Sequence, residues 1–364
     1  MLDEKFLTRE AVERHSLDMR QFIDFRQATL PNGMRIIEAY NSSGLTFTIL
    51  PDRGMDIWSA HYKGLPLTWI SQGSPHPPDF GQSWLRQYNG GLLTTCGLSH
   101  VGPSERDDIT GENRDIHGMY SHLRAGDLSI DRHWYGNSDY SVWLNAEITE
   151  AKLFGEQLVL RRSYGLELGH TMITIWDTIT NRGDQSVPLM LLYHFNVGYP
   201  LVREGARSHT PNAGVFPRDL VAKPGLNRWW EYDAATPQYA EQVFFHHLKA
   251  KSNGFTKVML GNEDMAITLD WDSSSLPYFT QWKNTRQGIY VNGIEPGNCI
   301  PEGQNAARRN GRLMMLEPGQ EYRSAISVGI ADGKSLMRES WVDINQLQDM
   351  GSAVAGCRLD EFTG

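Results

Sequence analysis

The chain has 364 residues, 40% of them hydrophobic and 21% charged, with a formal net charge of −9. A chain of this length removes roughly three quarters of its extended surface from water on folding, so it can hold a large core. Its acidic balance lacks the basic stripe that nucleic acid requires, and no apolar run reaches the roughly 20 residues of a bilayer span, so neither partner is expected. The best membrane candidate, residues 187–202, is interrupted by His194 and Asn196. The opening residues lack the basic start and apolar stretch of a secretory signal. The three cysteines (Cys96, Cys299, Cys357) are too scattered for a disulfide framework or a structural zinc site. A reduced, cytoplasmic location is expected.

In chain order, residues 9–22 carry apolar side chains at helical spacing. Leu45, Phe47 and Ile49 then alternate with Thr46 and Thr48, the period-two signature of a half-buried strand. Residues 79–115, rich in Gly, Pro, Asn and charge, read as a long loop. Val142, Leu144, Ala146 and Ile148 alternate with Asn145, Glu147 and Thr149. A second long loop is expected over residues 202–238. Ile267, Leu269 and Trp271 form another alternating run, followed by Tyr322, Ile326, Val328 and Ile330, before a helical pattern over residues 334–350. Asn-Gly pairs at Asn32, Asn89, Asn253, Asn292 and Asn310 are turn signals. The pattern predicts an all-β chain, a large antiparallel sandwich over residues 25–332. An N-terminal helical or irregular extension (1–24) and a C-terminal helix with a tail (333–364) flank it.

Common catalytic signatures are absent. Asp332-Gly333-Lys334-Ser335 ends like a phosphate-binding loop, but Val328 stands where that loop needs its first glycine. The dinucleotide fingerprint, the nucleophile elbow and the zinc-protease helix are all missing. His117, His122, His246 and His247 match no standard metal spacing, so neither a metal nor another cofactor is expected. Three polar residues in strand-like apolar surroundings remain. His194 lies in Leu191-Leu192-Tyr193-His194-Phe195-Asn196, Glu295 in Gly293-Ile294-Glu295-Pro296, and His117 in Asp115-Ile116-His117-Gly118. Burial beside such neighbours moves an imidazole or a carboxyl towards working pH, although each residue alone also suits a satisfied core or turn position.

Six short segments, in order, resemble aldose 1-epimerase-like proteins of the galactose-mutarotase-like superfamily. They are Leu50-Pro51-Asp52-Arg53-Gly54-Met55-Asp56-Ile57, Asn89-Gly90-Gly91-Leu92-Leu93, Ile116-His117-Gly118, Tyr193-His194-Phe195-Asn196, Gly293-Ile294-Glu295-Pro296 and Leu316-Glu317-Pro318-Gly319-Gln320-Glu321-Tyr322. The resemblance implies a β-supersandwich with a sugar bound in a cleft on its concave face. It also implies a general base at Glu295, a general acid at His194 and an assisting histidine at His117. The sequence departs from the pattern in two places. His194 directly precedes Phe195, and Thr94-Thr95-Cys96-Gly97-Leu98-Ser99-His100 replaces the family's arginine-bearing segment. A substrate-binding arginine would then come from Arg53, Arg86 or Arg124, and Glu241 occupies the stretch of the family's substrate aspartate. Asn89, Asn196 and His246 complete the expected substrate-binding set, with Trp84 and Trp282 as stacking platforms.

These residue types suit the chemistry. Interconverting α and β anomers removes the anomeric hydroxyl proton and protonates the ring oxygen, which a carboxylate and an imidazole accomplish without a cofactor. A non-catalytic carbohydrate-binding or sensing protein, or a different sugar isomerase on the same scaffold, is the alternative. The expected partner is a small neutral monosaccharide, because Arg308 and Arg309 are the only paired basic residues near a matched segment and also suit a solvated loop. A homodimer is left open.

Overall fold

The computed structural model describes residues 6–354, so Cys357 and the end of the expected tail lie outside the described residues. Two antiparallel sheets dominate. The larger has twelve strands, ten of them on one path: Ile23–Thr29, Arg35–Asn41, Leu45–Leu50, Asp56–Tyr62, Leu93–Cys96, Leu192–Gly198, Ile289–Gly297, Tyr278–Arg286, Gln242–Ala250 and Asn212–Pro217. The smaller has eight, running Arg207–His209, Phe255–Gly261, Met265–Asp272, Glu321–Asp332, Met172–Asn181, Gln157–Glu167, Asp139–Ala151 and Gly126–Tyr135. One apolar core joins them, taking Phe47, Tyr193, Phe195 and Ile294 from the larger sheet and Leu144, Leu160, Ile267 and Val328 from the smaller. The alternating runs fall on strands as expected, with Val142, Leu144 and Ile148 fully buried and Trp143, Asn145 and Glu147 between them half-buried.

A polar network crosses this core. The Arg162 guanidinium, fully buried, donates to both carboxylate oxygens of Asp177, at 3.0 Å from Nε and 2.6 Å from Nη2. It also donates to Thr95 Oγ1 at 2.9 Å, and Tyr193 Oη donates to Asp177 at 2.6 Å. Thr95 and Tyr193 belong to the larger sheet, Arg162 and Asp177 to the smaller. Shape-matched charge and hydrogen bonds thus fix one sheet against the other, which apolar packing does less directionally.

The expectations fail in four places. Residues 9–22 form only a five-residue helix, Arg9–Glu13, and a 3₁₀ turn, Met19–Gln21. Between them Ser16 Oγ accepts from Asp18 N and the Asp18 side chain accepts from Arg20 N, local bonds that compete with helix. The expected loop 79–115 contains Leu93–Cys96, a central strand of the larger sheet; all four residues are buried, so no alternation marks it. The Asn292-Gly293 pair lies inside the strand Ile289–Gly297, not at a turn. The second loop carries the short edge strands Arg207–His209 and Asn212–Pro217 and a 3₁₀ helix, Lys223–Arg228. The C-terminal helix spans Lys334–Met350 as expected and packs Met337 and Ile344 on Met259, Ala266 and Ala331.

Candidate active site

Strand parity builds the site. On the strand Leu192–Gly198, Tyr193, Phe195 and Val197 enter the core, so His194 and Asn196 face the other side. Next to it, Ile294 enters the core and Gly293 and Glu295 face outward with His194; Asn196 pairs with Gly293 and Phe195 with Ile294. Glu295 Oε1 lies 3.1 Å from His194 Nε2, with both side chains buried. No hydrogen-bond partner is aligned with Oε1, nor with His194 Nδ1. Gly293 makes the approach possible: a Cβ there would come within 2.3 Å of Glu295 Oε1 and 3.0 Å of both His194 Cε1 and Trp282 Cβ. Its missing side chain is therefore room for the pair rather than a turn, the use of a strand glycine where groups approach closely.

The pair opens on a cavity of about 680 Å³, a volume typical of small-molecule sites. Trp84 and Tyr88 stack with ring centroids 4.4 Å apart, Tyr88 stands edge-on to His194 at 6.0 Å, and Trp282 does so at 5.4 Å. Tyr88 Oη donates to Asn196 Oδ1 at 2.6 Å, and Asn196 Nδ2 donates to the His194 carbonyl at 3.1 Å. His117 sits 5.0 Å from Trp84 with a left-handed φ of 57°. Its N–H donates to the Gly102 carbonyl and its own carbonyl accepts from Gly97, a turn that costs strain and is held from both sides. On the rim, Trp282 Nε1 donates to Glu241 Oε2 at 2.7 Å, and Arg218 reaches Glu241 Oε1 at 3.3 Å and Asp219 at 2.8 Å.

Burial sets the protonation states. It pushes the His194 pKa down to about 3, with the nearby His117 adding to the effect, and the His117 pKa to about 4. It pushes Glu295 well above the usual carboxylate range, helped by the Glu241 charge and opposed by Arg218. A buried acid and a buried imidazole of this kind together favour a neutral pair holding one proton.

The cavity brings together Glu295, His194, His117, Trp84, Glu241 and Trp282 from the expected set. Asn196 stands behind it, bonded to Tyr88. The remaining expected residues lie away from its lining. Arg53 is buried and donates to the carbonyls of Ser121 and Gln87, tying loops together. Arg86 and Arg124 are exposed outside the cavity. Asn89 is buried beside Arg53 in a small separate void. His246 is fully buried between Asn212 and Gln281. Arg308 and Arg309 are spent on Asp107 and Asp108. Trp69, Tyr88, Arg218 and Thr280 also line the cavity and escaped the sequence reading. For Thr280 a signal existed, since it precedes Trp282 by two residues on one strand and so shares its face. Among the described residues no cluster of three or more His, Cys, Asp or Glu could hold a metal ion, and no helix is long and apolar enough to cross a membrane.

The profile of the family described as "Domain of unknown function (DUF4432)" matches residues 31–330. The chain belongs to this family. No curated protein matches the sequence of this DUF4432 member. Its fold does match solved structures. A Klebsiella pneumoniae protein named "putative aldose 1-epimerase" superposes with a TM-score of 0.82 at 24% identity, covering 91% of this chain and 88% of that one. A galactose mutarotase-like protein from Clostridium acetobutylicum gives 0.59 at 14% identity, over 86% and 99% of the two chains. A galactose 1-epimerase from Lactobacillus acidophilus gives 0.56 at 12%, over 86% and 99%. At these identities the likeness establishes the fold: this DUF4432 chain has the all-β, galactose-mutarotase-like fold.

Proposed function

We propose that this protein interconverts the α and β anomers of a neutral monosaccharide by acid–base ring opening and closure. The observation that carries the reading is the approach of Glu295 Oε1 to His194 Nε2, 3.1 Å apart on the wall of a sugar-sized, aromatic-lined cavity. Once the pair's one proton has passed from Glu295 to His194 across their 3.1 Å contact, Glu295 takes the proton of the anomeric hydroxyl while His194 gives one to the ring oxygen. The C1–O5 bond breaks, the aldehyde turns about C1–C2, and O5 re-attacks the other face as the protons return. A pair holding one proton can run this exchange in either direction without an outside acid. His117 stands across the aromatic stack as the assisting imidazole, and Trp84, Tyr88 and Trp282 offer rings to the C–H face of the sugar. The lining supports a neutral substrate: Arg218 is its one Lys or Arg among the described residues, already engaged by Asp219 and Glu241. A phosphate ester would want an unengaged arginine.

Saturation-transfer NMR across a panel of aldoses, with α/β exchange cross-peaks recorded on the same samples, tests the proposal. Binding with exchange far above the buffer rate supports it. Binding with no acceleration would make the protein a sugar binder, and no binding by any member would remove the sugar reading.

A further inference from the structure

The proposed reaction leaves unused a polar group of the cavity wall that is both buried and unpartnered. Thr280 is the direct cross-strand partner of Glu295. Its side chain faces the cavity, it is 1% exposed, and its Oγ1 has no hydrogen-bond partner. Its neighbour Phe279 enters the core, so strand parity places Thr280 on the same face as Glu295. Native proteins leave few buried polar atoms unsatisfied, and valine would fill the same space without that cost. A ligand group that meets the hydroxyl explains it.

The order of strands says which group. Leu192–Gly198, Ile289–Gly297 and Tyr278–Arg286 are adjacent in the larger sheet, so His194, Glu295 and Thr280 form one row with Glu295 in the middle. Directly opposed residues have Cβ atoms roughly 4.5–5.5 Å apart, the spacing at which two side chains can hold neighbouring atoms of one ring. In a pyranose the anomeric carbon is flanked by the ring oxygen on one side and by C2, with its hydroxyl, on the other. With His194 at the ring oxygen and Glu295 at the anomeric hydroxyl, the third member of the row meets C2.

We propose that Thr280 Oγ1 binds the C2 hydroxyl of the sugar and makes this site selective for 2-hydroxy over 2-deoxy aldoses. The inference rests on the assignment of Glu295 and His194 proposed above. A 2-deoxy sugar would leave the buried hydroxyl unpartnered, and sites built around such a bond reject the analogue that lacks it.

The test uses D-glucose and D-galactose, each beside its 2-deoxy analogue, with the wild-type protein, Thr280→Val and Thr280→Ser. Sugar affinity and anomer exchange are measured separately. The wild type should favour the 2-hydroxy sugars. Thr280→Val should lower kcat/KM and affinity for the 2-hydroxy sugar roughly 5- to 10-fold more than for the 2-deoxy analogue, the loss of one neutral hydrogen bond. Thr280→Ser should restore the preference. Equal losses for both sugars would mean that the hydroxyl orients Glu295 instead and would overturn the inference, as would a wild type indifferent to C2. If sugars bind with a Thr280-dependent C2 preference but no exchange is catalysed, the reaction falls and the role of Thr280 stands.

Discussion

In the proposed reaction Glu295 and His194 together decide the chemistry, and neither would act alone as it does beside the other. Burial raises the proton affinity of one and lowers that of the other, so the pair keeps one proton over a wide pH range. Its titration belongs to both residues. The sign of the pH dependence follows. The pair gains a second proton only near the His194 pKa of about 3, and loses its last on the alkaline side, above the usual carboxylate range. We predict that kcat/KM for anomer exchange falls with rising pH through one apparent pKa and shows no decline as pH drops through 6.5. A rate profile with an acid limb at 6.5 would mean that a solvent-exposed imidazole controls the reaction. His194 and Glu295 stood out in the sequence because each interrupts an apolar run, whereas His117, which follows a charged loop, was picked out only by the family-like Ile116-His117-Gly118 segment. The arginines were not, because a guanidinium's partner lies far along the chain: Arg53 answers carbonyls at Ser121 and Gln87, and Arg308 answers Asp107.

Strands supply the geometry that brings these residues into register. Gly293 is the clearest case, since as the second residue of an Asn-Gly pair it reads as a turn, yet it opens space between Glu295, His194 and Trp282. Gly293→Ala should therefore lower anomer exchange at least 10-fold while costing roughly 1–3 kcal/mol of stability, the range of core overpacking. Denaturant melts beside exchange rates will show both effects. An active, unshifted variant would mean that the pair tolerates displacement. Behind the site, Thr95 and Tyr193 bind the Arg162–Asp177 pair of the opposite sheet. Arg162→Met strands Asp177 in the core, so we predict a loss of about 3–5 kcal/mol in chemical denaturation. Less than 1 kcal/mol would show that the network contributes little to joining the sheets. Amphipathic strands were visible in the sequence through their alternation. Leu93–Cys96 was not, because burial on both faces erases the period that reveals a strand.

Across the molecule, one core between two sheets leaves the outward face of the larger sheet to hold the cavity. The same burial that shapes the site makes the protein sensitive to acid. His246 lies between Asn212 and Gln281 with its pKa lowered from 6.5 to about 3. Between those values the unfolded chain binds a proton that the folded chain refuses. The stability held by the neutral imidazole is therefore complete above pH 6.5 and falls as pH drops below it, by about 1.4 kcal/mol per pH unit. His246→Gln should be less stable than the wild type at pH 7.5, and the gap should narrow as pH falls towards 4.5. A constant gap in urea midpoints would mean that His246 titrates normally. The overall sandwich was legible from alternation and turn signals, but the pairing of strands distant in sequence, which makes the cavity, was not.

The proposed reaction is tested most directly by the α/β exchange rate of a bound aldose, measured by NMR for the wild type and Glu295→Gln at equal sugar occupancy. Glutamine keeps the size of the side chain and removes its proton affinity. The rate should fall by roughly 10²–10⁴, the contribution of a positioned acid–base group, while affinity changes little. Full exchange activity in Glu295→Gln would contradict the assignment of Glu295 as the base.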